Sequence, residues 1–367
     1  MTGFDPGTAR RVALTVSCRD CDELPKVAGA GGVEDRSGAR VQVMHNGVVV
    51  EEGGYFGAWM AEIIRCLDGH HEPQEELVFA RVLERLAAEG LTSPAAVELG
   101  SFWAYYSLWF LHDFPDGTVV AMEPDPANLE VGRRNFRLNG RTGHFVHGGI
   151  GSQPGTTMTF TSEMTGQPFE VPQHDLASLM AEGGLDRVDL LMCDIQGAET
   201  LFFEQAADLI GRGLVRFAVV STHHHRISGN PLTHQALVAR MREMGAHVVT
   251  EHSVGESFSG DGLLVVSFDG RDRDLVVETS VARQGDSIFG PLEHDLALAW
   301  ADRDAEKRRG DELAAALEHR TAEAARLTQA LHRLEAEVGA IRATRLWRHS
   351  EGPRRTYAAW RRIMARR

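Results

Sequence analysis

The chain has 367 residues, 43% of them hydrophobic, so it can bury the core of one large domain or of two smaller ones. Its net charge of −14 at pH 7 argues against non-specific nucleic-acid binding, because a phosphate backbone attracts a positive surface. The charge is unevenly spread. Residues 342–367 hold nine arginines and a single acid, Glu351, so this end of the chain is electrostatically distinct.

The cysteines are too few and too scattered for a disulfide framework, and no N-terminal stretch has the apolar core of a signal peptide. We therefore expect a cytoplasmic protein. Cys18 and Cys21 have the C-x-x-C spacing of a zinc or redox pair, but no second C-x-x-C completes a tetrahedral ligand set. We interpret them as two reduced thiols near the end of a strand. The other two cysteines are Cys66 and Cys193.

Residues 1–74 are predicted to form a module with a β-hairpin and helical segments. Two apolar runs flank His45-Asn46-Gly47, and Asn-Gly between such runs is a strong hairpin signal. VALTV, at residues 12–16, has the character of a strand. Helical spacing follows at residues 59–67 and again at 75–90, where Gly90 is a stop signal.

Residues 75–292 are predicted to form an α/β domain. Apolar strand-like runs alternate with helical patterns, which indicates a mostly parallel sheet with helices on both faces. The last two runs are too close for a helix between them, so they should pair as an antiparallel hairpin at one edge of the sheet. This arrangement is that of the Rossmann-like methyltransferases. The runs are AAVEL, TVVAME, HFVHG, VDLLMCDI, FAVVST, AHVVTE and LLVVSF.

The turn after the first strand of this domain indicates a nucleoside site. Gly100 permits a tight turn beside Glu98 and Ser101, and Glu123 ends the second strand, where an acid can accept both ribose hydroxyls. A dinucleotide pyrophosphate would require a glycine-rich turn without negative charge. A nucleoside that carries positive charge fits better, which points to S-adenosylmethionine. The alternative is an ordinary strand-to-helix turn whose acid caps a helix.

Further contacts to this cofactor are expected where other strands end, because ligands of parallel sheets bind at the carboxyl ends of the strands. Pro124 follows the second strand, Gly149 the third, and Asp194 the fourth. The complete set of expected cofactor contacts is Glu98, Gly100, Ser101, Glu123, Pro124, Gly149 and Asp194.

The chemistry is expected at the ends of the fourth and fifth strands. Asp194 and Gln196 would hold the acceptor hydroxyl and the methionine moiety, and His223 would be a neutral base whose ordinary pKa suits that task. Glu199 either binds the acceptor or caps the next helix. His225 shares a side with His223 if the chain stays extended, so it too is expected to contact the acceptor. A divalent metal held by one of these histidines together with Asp194 and Glu199 is a less favoured alternative, because no metal-ligand spacing supports it.

Together these residues resemble the FkbM family of S-adenosylmethionine-dependent methyltransferases. The resemblance covers about residues 75–268, through VELGSFWAYYSLWF, MEPDPANLEVGRRNFRLN, VDLLMCDIQGAE and STHHH. It implies O-methyl transfer, often to sugars or other secondary-metabolite hydroxyls. It also implies a cofactor site at Glu98, Gly100 and Glu123 and a reaction site at Asp194 and Glu199. The turn Ser101-Phe102-Trp103 departs from the more glycine-rich turns of many methyltransferases, and His70–Glu76 lies outside the general family core.

Residues 293–345 are predicted to form a coiled-coil helix, which implies a homo-oligomer; one amphipathic helix packed on the domain is the alternative. Residues 346–367, with Trp347, Tyr357 and Trp360, suit an anionic membrane at its inner face, or a docking partner. The tail is similar to segments that end bacterial enzymes of cell-surface polysaccharide assembly. A non-catalytic scaffold of such a complex is therefore the competing function. The predicted seam is Leu313, Leu317, Arg320, Ala324, Leu327, Leu331, Leu334, Val338 and Ile341.

Overall fold

The computed structural model describes residues 3–36, 38–162, 165–282 and 290–365. The chain divides into two compact units, Met1–Arg283 and Gln284–Arg367. The first unit holds every residue that was expected to bind cofactor or acceptor. The second unit holds the predicted coiled coil and the basic tail.

The N-terminal module pairs a small antiparallel sheet with three helices. The predicted hairpin is confirmed, because β2 and β3 pair around Asn46-Gly47, and β1 extends the sheet on the other side of β2. The bounds are α1 (Pro6–Thr15), β1 (Val33–Arg36), β2 (Ala39–Val43), β3 (Val49–Glu51), α2 (Ala58–Cys66) and α3 (Pro73–Ala88).

The strand predicted at residues 12–16 is wrong, because these residues end α1 instead. The Asp5 carboxylate accepts hydrogen bonds from the backbone N–H groups of Gly7, at 2.9 Å, and Thr8, at 3.2 Å. Pro6 occupies the first helical position, where its missing N–H costs nothing. The Asp5 cap and Pro6 favour a helix more strongly than the β-branched residues that follow favour a strand. Cys18 and Cys21 therefore lie after a helix and not near the end of a strand.

The methyltransferase-like part is a seven-stranded sheet in the order β12-β13-β11-β10-β4-β5-β6. The strands β11, β10, β4, β5 and β6 run parallel, whereas β13 is antiparallel to both β11 and β12. The predicted parallel sheet with an antiparallel edge hairpin is therefore confirmed. The bounds are β4 (Ala95–Leu99), β5 (Thr118–Glu123), β6 (His144–His147), β10 (Val188–Cys193), β11 (Val215–Thr222), β12 (His247–His252) and β13 (Gly262–Ser267).

Helices cover both faces of this sheet. In β10, Leu190 and Met192 pack in one core with α3 and α4, while Leu191 and Cys193 pack in another with α6, α7 and α9. A buried strand with apolar side chains on both faces is what a parallel sheet between two helical layers requires. The bounds are α4 (Tyr105–Asp113), α5 (Pro126–Leu138), α6 (Leu176–Gly183), α7 (Glu199–Gly211), α8 (His225–Ser228) and α9 (Thr233–Glu243).

A second, smaller sheet was not predicted from the sequence. It has the strand order β7-β9-β8 and follows β6. Its strand β8 alternates exposed and half-buried residues, and β9 alternates exposed residues with half-buried or buried ones, so neither has the apolar run that marked the central strands. The bounds are β7 (Gly149–Ile150), β8 (Thr157–Thr161) and β9 (Pro168–His174), with short 3₁₀ helices later in the chain at Val254–Glu256 and Gly270–Asp272.

The C-terminal unit is helical: α10 (Gly290–Ala343), α11 (Arg345–His349) and α12 (Glu351–Met364). The leucines of the predicted seam are exposed on α10, as in Leu313 and Leu327, which are both 65% exposed. The helix is thus established, whereas its pairing with a second chain stays a prediction. In the described part of the chain, no helix is both long and apolar enough to cross a membrane.

Candidate functional site

A cavity of about 800 Å³ opens where β4, β5 and β10 end at their carboxyl edge. Parallel strands bring the residues that follow them to one side of the sheet, so this is where the polar strand ends were expected to meet. All the residues predicted to contact the cofactor line this cavity. They are Glu98, Gly100, Ser101, Glu123, Pro124, Gly149 and Asp194.

Gly100 is required by its contact with a neighbouring loop. Its φ is +76°, and a Cβ placed there would lie 1.7 Å from the carbonyl oxygen of Asp194. The backbone N–H of Asp194 in turn donates to the carbonyl of Leu99, at 3.0 Å. The sequence predicted glycine here for close approach to a ligand. In the structure this glycine brings the turn after β4 against the loop after β10, so the two halves of the site adjoin.

The two glutamates of the predicted cofactor site are buried and held by hydrogen bonds. The Oε2 atom of Glu98 accepts from the backbone N–H of Ser107, at 3.1 Å, and from its hydroxyl. The Glu123 carboxylate accepts from the backbone N–H groups of Phe102, at 3.0 Å, and Asp125, at 2.9 Å. Burial raises the pKa of Glu98 to about 8 and that of Glu123 to about 7, because desolvation disfavours the charged form. Both carboxyl groups are thus oriented before any ligand binds.

The bulky turn Ser101-Phe102-Trp103 attaches the N-terminal module to the domain. The Tyr55 ring, which precedes α2, stacks on Trp103 with ring centroids 4.5 Å apart, and meets Phe102 edge-on at 5.0 Å. Aromatic packing therefore stands at this turn, where the resemblance implied more glycine. Ser101 remains available, because its buried hydroxyl has no hydrogen-bond partner within the described ranges and the residue lines the cavity.

Asp194, His223 and Glu199 form a chain of charged groups at the second half of the site. The Nδ1 atom of His223 lies 2.9 Å from Glu199, and its Nε2 atom lies 3.0 Å from Asp194. Burial alone would lower the pKa of His223, but the hydrogen bonds to Asp194 and Glu199 outweigh it and hold this pKa well above its usual value. The two carboxylates therefore favour the protonated ring over the neutral imidazole that the sequence predicted.

Exposure separates the roles of these three residues. The side chains of His223 and Glu199 are fully buried, and neither residue lines the cavity, whereas the side chain of Asp194 is 40% exposed and does. Glu199 begins α7 and also accepts from the backbone N–H of Gly197, at 3.0 Å. The expected acceptor contact by Glu199 is thus corrected to a supporting role close to the helix-capping alternative. Of the three, only Asp194 can reach a bound molecule directly.

The expected acceptor contact by His225 is also corrected. The chain leaves its extended conformation at His224 and begins α8 at His225, so alternation of side chains ends before the predicted position. His225 is exposed, and His224 lines the cavity in its place. Gln196 lines the cavity as expected. Its φ of +55° is left-handed, and this bends the loop after β10 toward the cavity.

One wall of the cavity was missed because it comes from the N-terminal module and from the sheet edge. The first turn of α3 supplies Glu72 and Glu75, and the Oε2 atom of Glu75 accepts from the hydroxyl of Ser221 at 2.9 Å. Burial, together with Asp194, raises the pKa of Glu75 to about 7. The HHEPQEE segment was the only sequence signal for this wall. The residues that complete it are Tyr55, Phe56, Trp59, Tyr106 and Asp261.

The family comparison agrees with the resemblance seen in the sequence. Residues 87–248 match the family model described as the Methyltransferase FkbM domain. A curated relative, Methyltransferase 1 of Beauveria bassiana (strain ARSEF 2860), is 27% identical over 28% of this chain and 54% of its own length. The chain thus spans about half the length of the curated relative that it matches.

Several solved structures are similar in fold. Precorrin-6y C5,15-methyltransferase from Geobacter metallireducens has 16% identity, with a TM-score of 0.33 over 52% of this chain and 87% of that one. The METTL16 methyltransferase domain has 17% identity and a TM-score of 0.41 over 62% and 86%. TrmK of M. capricolum, solved with S-adenosylhomocysteine, has 8% identity and a TM-score of 0.34 over 55% and 74%. The fold assignment rests on the strand order and strand directions given above.

Proposed function

We propose that this protein is an S-adenosylmethionine-dependent O-methyltransferase that acts on a sugar hydroxyl of a bacterial glycan, polysaccharide or glycosylated metabolite. The observation that carries the proposal is one cavity in which the predicted cofactor residues adjoin the exposed carboxylate of Asp194. S-adenosylmethionine would supply a methyl group on a positively charged sulfur. The family match at residues 87–248 supports the same reaction class.

The residues present fit this cofactor. Glu123 stands at the end of β5 with oxygens whose remaining lone pairs can accept ribose hydroxyls. The unpartnered hydroxyl of Ser101 offers a further contact within the cavity. The carboxylate of Asp194 gives the site negative charge, which favours a cationic ligand over a phosphate.

We assign Asp194 as the group that accepts the proton from the acceptor hydroxyl. Its carboxylate faces the cavity, and its Oδ1 atom is held by the buried His223, which Glu199 fixes from the other side. The imidazolium orients the carboxylate without contacting the acceptor. Since orientation can lower a barrier by several kcal/mol, this fixed placement is the main contribution of the chain beyond proton removal.

The wall built from the N-terminal module suits a sugar. Aromatic rings such as Tyr55 and Trp59 can pack against the apolar face of a pyranose, and the carboxyl groups of Glu72, Glu75 and Asp261 can exchange hydrogen bonds with its hydroxyls. Reaction with a panel of sugars and amines, with the product located by NMR, tests this assignment. Methyl groups found only on nitrogen would contradict it.

Glu123→Gln should weaken S-adenosylmethionine binding by about tenfold to a hundredfold, since a hydrogen bond to a charged group is worth about 1.5–3 kcal/mol. Isothermal titration would measure it, with Glu130→Gln on α5 as the control for an exposed glutamate. The Glu123 pKa of about 7 implies that wild-type affinity rises as the pH rises through 7, because hydroxyls donate better to a carboxylate. This rise should be smaller in the variant. Equal affinities for Glu123→Gln and wild type would remove Glu123 from the ribose site.

The C-terminal unit is proposed to set assembly and location, through a homo-oligomer and contact with anionic membrane at its inner face. Leucines of the seam are exposed along α10, and α12 carries Tyr357 and Trp360, whose rings stack with centroids 5.8 Å apart. Arg354 lies over the ring of Trp347 at 3.5 Å. The same features would also serve a non-catalytic scaffold. A scaffold would not transfer methyl groups, so an activity assay distinguishes the enzyme from the scaffold.

Truncation before Gly290 should leave a monomeric domain that still binds S-adenosylmethionine but no longer binds anionic vesicles. Each basic residue near an anionic surface contributes about 1 kcal/mol, so loss of the tail should abolish sedimentation with phosphatidylserine vesicles. Light scattering would report the mass of both proteins. The proposal fails if both have the same mass per chain and the same lack of lipid binding.

A further inference from the structure

A second cluster of metal-ligand side chains lies outside the cavity, where the segment after α1 meets the start of α3. Cys21, His70 and Glu76 each place one ligand-type atom within 4.8 Å of the other two. Cys21 is 4% exposed, and the other two residues are fully buried. The sequence indicated no partner for the Cys18–Cys21 pair, because no second C-x-x-C follows it. The fold supplies a histidine and a glutamate instead.

Glu76 is a buried carboxylate that holds two histidines. Its Oε2 atom lies 2.5 Å from His70 Nδ1, and its Oε1 atom lies 2.5 Å from His71 Nδ1. Each oxygen of the Glu76 carboxyl therefore lies against a histidine nitrogen, and the whole group is buried.

His45 lies beside this cluster. Its ring stacks on His70 with centroids 4.1 Å apart, and its Nδ1 donates to the carbonyl oxygen of Pro25 at 3.1 Å. This stacking fixes the plane of the His70 ring against Glu76 and keeps the cluster away from solvent.

We infer that Cys21, His70 and Glu76 bind a zinc ion. Sulfur, imidazole nitrogen and carboxylate oxygen are the ligand types that zinc takes in proteins, and a thiolate ligand disfavours magnesium and calcium. The Cys21 thiol now donates to the carbonyl of Pro73 at 3.1 Å. On zinc binding this thiol releases its proton to solvent and its sulfur bonds to the metal. The zinc ion would take the place of the proton between His70 Nδ1 and Glu76 Oε2, and this proton would also leave to solvent, while Glu76 Oε1 stays against His71.

The zinc ion would fasten the segment after α1 to the first turn of α3. Glu72 and Glu75 on that turn line the cavity, so the ion would fix one wall of the site without taking part in the reaction. The inference stands on the cluster itself and does not depend on which acceptor or cofactor the cavity binds.

Cobalt binding to untagged full-length protein tests the inference. After treatment with a chelator, addition of Co²⁺ should give a near-ultraviolet sulfur-to-cobalt band that saturates at one ion per chain, and Zn²⁺ should displace it. Cys21→Ser should lack the band and bind Zn²⁺ more weakly by over about tenfold. Cys66→Ser removes an exposed thiol of α2 and should behave like the wild type. This control matters because the chain has 17 histidines that could bind metal weakly.

The wild-type result decides the matter even if a variant does not fold. Absence of the thiolate band in wild-type protein overturns the inference, as does a band that Cys21→Ser retains or that Cys66→Ser loses. Should Cys21→Ser lack native circular dichroism, His70→Gln and Glu76→Gln replace it, and a full-strength site in both folded variants overturns the inference too. Chelation should also lower the melting temperature of the wild type but not that of a folded variant without the site.

Discussion

Asp194→Asn should lower the turnover number by about 10²–10⁴, the usual effect of removing a general base. An asparagine keeps the shape of the side chain but cannot take the proton from the acceptor hydroxyl. The affinity for S-adenosylmethionine should change by only a few-fold, because Glu123 and the buried turn residues remain. Transfer of labelled methyl to the acceptor measures turnover, and isothermal titration measures binding on the same samples.

Asp208→Asn is the matched control, since Asp208 is an aspartate on α7 whose side chain is 82% exposed. It should retain wild-type turnover. Full activity of Asp194→Asn would show that another group removes the proton, and the remaining carboxylates of the cavity would then be examined one by one. A collapse of cofactor affinity together with turnover would instead assign Asp194 to cofactor binding, which the sequence also allowed.

The pH dependence of the rate gives a second test of Asp194 as the proton acceptor, because of the charge on His223. The two carboxylates raise its pKa well above the usual value, so the imidazolium persists through neutral pH. It behaves as a positioning residue and should not be the group whose deprotonation appears near pH 6.5 in the rate profile. The expectation of a neutral base failed because the approach of Glu199 depends on where α7 begins, which no local pattern around the histidines indicates.

The residues predicted to contact the cofactor could be placed on one side of the sheet from the sequence, for a geometrical reason. Parallel strands end on one side of the sheet, so a polar residue directly after a buried run, such as Glu123 or Asp194, must lie there. The acceptor half was not accessible in this way. Tyr55 and Glu72 belong to a module that precedes the domain, and only tertiary packing brings them to the same cavity. The prediction for His225 was wrong because α8 begins at this residue, so side chains no longer alternate between two sides of an extended chain.

Gly100→Ala should be the most damaging single-methyl change in the domain. The new Cβ would lie 1.7 Å from the carbonyl oxygen of Asp194, a backbone atom that cannot rotate away. The turn after β4 and the loop after β10 would have to separate, which displaces Asp194 and the Glu98 side of the cavity together. We expect a loss of more than about 4 kcal/mol in the free energy of unfolding, a size that single substitutions rarely reach, and loss of cofactor binding.

Gly140→Ala is the control for Gly100→Ala. It distinguishes the effect of the steric clash with Asp194 from the effect of the left-handed backbone conformation. Gly140 has a φ of 62°, close to the 76° of Gly100, but a Cβ there would meet nothing within 4 Å. It should therefore cost only the 1–2 kcal/mol or so of placing a side chain in the left-handed region. Denaturant unfolding of both variants gives the difference, which measures the contact between the two loops. If the two variants were equally stable, the loops would be separable at little cost, and the glycine would then be needed for the ligand, as the sequence alone suggested.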